Sequence, residues 1–84
     1  MNEPLAFEAF RNHLAEQLEV HLGDMGPQHR LADDAELDSV QRLEALVAIE
    51  DLGVELPYDS VEPQQTLGGL HGRYTQALLT SSES

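Results

Sequence analysis

The sequence predicts an all-α fold, a small antiparallel bundle of three main helices plus one short helical turn. Two observations carry this prediction. Apolar residues recur at helical spacing in three separate runs, Phe7/Phe10/Leu14/Leu18, Leu43/Leu46/Val47 and Leu67/Leu70/Tyr74/Ala77/Leu78. Helix-start and helix-stop residues punctuate the chain between them. With 84 residues there is room for one domain and not two. The expectation is a single domain over 1–84, with a core from about 4 to 79 and a flexible polar tail over 80–84.

Glu3-Pro4 opens the first helix, because proline at the first helical position loses no hydrogen bond. Gly23 supplies a stop after Leu22. From Gly23 to Asp38 no sustained period appears. A structureless loop of about 15 residues is uncommon in a compact domain, so this one is expected to be functional, pinned to the core by Met25 and Leu31, or both.

Glu36-Leu37-Asp38-Ser39-Val40 then leads into the second helix, expected from Ser39 to Asp51 and ending near Gly53. Asp38 is placed to cap the first turn, with Gln41 completing a capping box. Val54-Glu55-Leu56-Pro57 reads as a short extended link. Asp59-Ser60-Val61-Glu62 offers a second capping box, but Pro63 limits it to a single turn. Thr66 caps the last helix, and Gly68, Gly69 and Gly72 make that helix dependent on tertiary packing.

Composition narrows the function. Sixteen acidic side chains face four arginines and no lysine, for a formal net charge of -12 and a pI of about 4.3. Nucleic acid and anionic membranes are disfavoured, whereas basic patches on other proteins are attracted. The chain has no cysteine, which excludes disulfides, thiolate catalysis and cysteine-based metal sites. The N-terminus shows neither a basic leader nor an apolar run, giving an expected cytoplasmic location. His13 and His21 are too far apart to chelate from one helix turn. With His29 and His71, they are expected at the surface or partly packed. Tyr74 is expected in the core with its hydroxyl at the edge. No nucleophile-base pair, metal cluster or phosphate loop can be assembled, so the chain is not expected to be an enzyme.

Three landmarks in order give a resemblance. Leu31-Ala32-Asp33-Asp34-Ala35-Glu36-Leu37-Asp38-Ser39-Val40 is similar to the approach to the Asp-Ser-Leu motif of the acyl carrier protein family, Gly53-Val54-Glu55-Leu56-Pro57 to the segment closing its second helix, and Thr66-Leu67-Gly68 to the start of its last. The resemblance spans nearly the whole chain and implies an acyl-carrier-like bundle. It also implies that Ser39 carries covalent 4'-phosphopantetheine, installed from coenzyme A by a phosphopantetheinyl transferase. The arm would hold acyl or aminoacyl groups as thioesters for loading and synthase enzymes with basic docking surfaces. Asp38, Val40, Glu44 and Asp51 are the expected partner-recognition residues, on a freestanding, monomeric carrier.

The chain departs from the family's pattern in several places. Ala35 and Glu36 stand where many carriers have leucine and glycine, and Val40 replaces the usual leucine. The Gly-Gly-His-Ser signature of peptidyl carriers is absent. Gln41 and Arg42 make the second-helix face less acidic than in fatty acid carriers, which favours polyketide or other specialised-metabolite biosynthesis. The interval from Ser39 to Pro57 is one residue shorter than in typical carriers. A continuous helix would then aim Leu52 roughly 140° from Val47, so the helix is expected to stop at or before Asp51, or tighten to 3₁₀ there. The alternative function is an unmodified acidic interaction module that keeps a carrier-like fold.

Overall fold

The computed structural model describes residues 3–81. Three helices, α1 (Phe7–Leu18), α2 (Ser39–Glu50) and α3 (Leu67–Ser81), and a 3₁₀ turn (Tyr58–Val61) make an all-α bundle. Among the described residues the sole β feature is an isolated antiparallel bridge between Arg30 and Thr66. Of the tail expected over 80–84, residues 80 and 81 belong instead to the last turn of α3, and 82–84 lie outside the described residues.

Both ends of α1 differ from expectation. The helix begins at Phe7, so Pro4 lies before it in the approach, and Ala6, extended at φ -65° and ψ 162°, stands at the N-cap with no side chain capping the first turn. The approach is fixed from α3 instead: Leu5 N–H donates to Tyr74 Oη at 2.8 Å, and His71 Nε2 lies 2.7 Å from Leu5 O. The other end comes at Leu18 and not Leu22, because Glu19 turns left-handed at φ 56°. Val20 N–H then reaches back to Ala15 O at 3.0 Å and Glu19 N–H to Glu16 O at 3.4 Å, the two bonds of a Schellman ending. Within those limits the stripe behaves as its spacing requires. Phe10, Leu14 and Leu18 are buried, and Phe7 packs partly against the core.

The face of α2 also requires correction. Ala45, Ala48 and Ile49 are the buried residues, whereas Leu43 and Val47 are exposed and Leu46 is only partly covered. The small alanines admit α1 closely, and His13 Nε2 bridges to Ala48 O at 2.9 Å. The helix does stop at Glu50, and Leu52 and Gly53 donate to carbonyls three residues back. The cause is not the one the sequence suggested. At about 100° per residue Leu52 shares the direction of Ala45 and Ala48, so it packs on the core from the face that is in fact buried.

The long loop is held by backbone bonds as well as by Leu31 and Met25, the first buried and the second half-buried against the core. Leu31 N–H donates to Gln65 O, Ala32 to Pro63 O, Leu67 to His29 O and Gly68 to Pro27 O, at 2.8–3.2 Å. Gly68 is required here, since a Cβ would come within 2.6 Å of Pro27 Cβ and 2.9 Å of its carbonyl oxygen.

The single turn before Pro63 forms as expected, but without the second capping box. Pro57 stands at its N-cap and no side chain caps it. Thr66 does cap α3, its hydroxyl accepting from Gly69 N–H at 3.0 Å. Leu67, Leu70, Tyr74 and Leu78 are buried, with Ala77 partly so.

Candidate functional site around Ser39

Ser39 is fixed by what precedes it. Leu37 is buried, and its N–H donates to Leu31 O at 3.0 Å, tying the loop to the core two residues before the serine. Glu36 supplies the bend at φ 56°. Asp38 then closes the capping box, with Oδ1 accepting from Gln41 N–H at 2.8 Å and Gln41 Oε1 accepting from Asp38 N–H at 3.1 Å. Arg42 reaches back from the first turn, and its Nη1 donates to Leu37 O at 2.9 Å.

The hydroxyl so presented is exposed, and among the described residues no side chain hydrogen-bonds it. It therefore has the ordinary reactivity of a serine and needs a base from outside to become a nucleophile. Beside it lies a cleft of about 80 Å³ between α2 and the 3₁₀ turn, lined by Ser39, Arg42, Leu43, Tyr58, Val61, Glu62 and Pro63. The cleft has room for several waters, which suits part of an arm and not a long buried chain.

The expected recognition residues Asp38, Val40, Glu44 and Asp51 are all exposed, Val40 at 62%. At about 100° per residue, Val40, Leu43, Glu44, Val47 and Asp51 fall within an arc of about 100°, away from α1. Leu43 and Val47 thus join this face, although their spacing suggested core. The place of Arg42 and Tyr58 beside the serine was not read from the sequence, which put Arg42 on the exposed face of α2. The available signal for Arg42 was its place three residues after Ser39, which puts both on one side of the helix.

Gln41 is committed to the cap and Arg42 is turned toward the cleft, so neither defines the face opposite α1. The four histidines are placed as expected: His13, His29 and His71 are half-buried with polar partners and His21 is exposed. Tyr74 is buried, its hydroxyl bonded to the N-terminal approach.

This donor set fits a phosphate-bearing group on Ser39. A free primary hydroxyl stands at the start of a capped helix, whose unpaired N–H groups favour a nearby anion. A cation and an apolar wall adjoin it. No solved structure matches the chain. The model of the family described as "phosphopantetheine attachment site" matches residues 8–72. The chain belongs to this phosphopantetheine-binding family, whose members bear 4'-phosphopantetheine on a serine and interact with partner enzymes, and it is a phosphopantetheine-carrying carrier protein.

Proposed function

We propose that Ser39 is the modified residue and that this chain, as a single domain, carries acyl or aminoacyl groups in polyketide or another specialised-metabolite biosynthesis. The observation that carries the proposal is the unbonded, exposed Ser39 hydroxyl at the start of a helix held by its own capping box. When bound, the prosthetic group supplies a terminal thiol that holds cargo as a thioester. The chain's part is to present the hydroxyl. A phosphopantetheinyl transferase takes its proton, Ser39 Oγ bonds to the pantetheine phosphate of coenzyme A, and the adenosine bisphosphate leaves.

Partner enzymes then read the α2 face. Val40, Leu43 and Val47 give an apolar stripe, flanked by Asp38, Glu44 and Asp51. Basic rims on loading and synthase enzymes complement these carboxylates and speed encounter. The protein is read as a cytoplasmic monomer without catalytic activity of its own. No described helix is long and apolar enough to cross a membrane.

The test is intact mass after incubation with coenzyme A and a broad-specificity transferase. Wild type gains one phosphopantetheine and Ser39→Ala gains none, while the variant's stability stays within about 0.5 kcal/mol of wild type, as for other exposed sites. A gain that persists in Ser39→Ala moves the site to another hydroxyl. A folded wild type that gains nothing points to the unmodified interaction module.

A further inference from the structure

The four arginines sit in different surroundings. Arg30 pairs with Asp33 at 3.6 Å and Arg73 with Asp59 at 3.5 Å. Arg11 lies over the Phe7 ring and donates to Met25 O. Arg42 is half-buried on the cleft wall, and among the described residues its one hydrogen-bond partner is the neutral carbonyl of Leu37. Neither Arg11 nor Arg42 has a carboxylate partner among the described residues, but of the two it is Arg42 that lines the cleft beside Ser39.

We infer that Arg42 is an anion-positioning residue, whose guanidinium receives the phosphodiester that modification places on Ser39. The inference rests on the reading of Ser39 as the modified residue. Positions three apart on a helix have Cβ atoms about 5–6 Å from each other, so the phosphate attached at Oγ falls within reach of the Arg42 fork. One of the five guanidinium donors is used on Leu37 O, which holds the group in orientation. The others remain for phosphate oxygens, whose spacing suits a planar fork.

Glu62 is the one carboxylate among the lining residues, and it accepts from Gln64 Nε2 at 3.2 Å. A carboxylate on the cargo is the other oxyanion Arg42 could meet. It hangs at the far end of the arm, however, whereas the phosphate is held one helical turn away.

The test compares the holo-minus-apo change in melting temperature for wild type, Arg42→Lys and Arg42→Gln, with the ³¹P resonance of each holo form. Loss of the Leu37 bond affects apo and holo alike and cancels in the difference. For a half-exposed charge pair, the wild-type difference should exceed that of Arg42→Gln by about 2–6 °C. Arg42→Lys should fall between, the ³¹P signal should move in Arg42→Gln, and about 0.5 M salt should shrink the wild-type difference without any substitution. Equal differences with an unmoved ³¹P signal would overturn the inference and leave Arg42 as a tie to Leu37. An effect that appears only on a malonyl-loaded arm, and not on unloaded or acetyl-loaded arms, would reassign Arg42 to a cargo carboxylate. Absence of any mass gain on wild type would defeat the reading of Ser39 itself, and the role of Arg42 with it.

Discussion

Glu36 and Glu19 both hold left-handed backbone at φ 56°, a conformation that costs an L-residue roughly 1–2 kcal/mol and glycine almost nothing. Glu36 matters more because it bends the loop three residues before Ser39, at the place where the acyl carrier resemblance puts glycine. Its side chain is exposed, so little is lost with it. Glu36→Gly removes the backbone strain and one negative charge, against a glycine entropy cost of about 0.5–1 kcal/mol. The balance is a stabilisation of about 0.5–1 kcal/mol, or roughly 2–8 °C in melting temperature for a domain of this size. A thermal melt of the variant decides it, and a lower midpoint than wild type would show that the bend is not strained.

Among elements, α3 supplies the sharpest contrast, because two of its glycines face opposite surroundings. Gly72 has open space around its Cβ position, whereas Gly68 meets the Pro27 backbone at 2.9–3.1 Å. Helix propensity alone favours alanine over glycine by about 1 kcal/mol at an interior position. Gly72→Ala should therefore stabilise by about 0.5–1 kcal/mol. Gly68→Ala should destabilise by about 1–3 kcal/mol, as overpacking does, because the proline backbone has no flexible end to give way. Denaturant midpoints check both, and a stabilised Gly68→Ala would mean that the 23–38 loop is held loosely.

The same elements show what the sequence could convey. The Asp38–Gln41 box and the Thr66 cap were legible because both partners lie within three residues of each other. The α2 face was not legible, since Leu43 and Val47 are more apolar than the alanines that in fact meet α1, and periodicity does not say which of two apolar stripes is covered. The left-handed exit at Glu19 had no glycine to mark it. The bonds joining residues 27–32 to 63–68 depend on long-range pairing that no local pattern encodes. At the site, Ser39 was found through its motif, while Tyr58 reaches the cleft only through the fold.

At the scale of the molecule, charge dominates. Sixteen acidic groups lie on a chain with a Cα radius of gyration of 11.8 Å, and among the described residues two exposed ion pairs offset them. The Debye length is about 10 Å at 0.1 M salt and about 3 Å at 1 M, so at low ionic strength carboxylates across the whole body repel one another. Unfolding spreads them apart, and this favours the unfolded chain. Raising salt from about 0.02 M to about 0.5 M should therefore raise the melting temperature by several degrees. The same charges draw the carrier to basic partners, and that attraction weakens over the same range. Salt should thus act with opposite signs, stabilising the fold while slowing modification by a transferase. A melt series and initial modification rates measured in the same buffers test the pair. A melting temperature that falls with salt would mean that ion pairs, and not repulsion, govern the stability of this carrier.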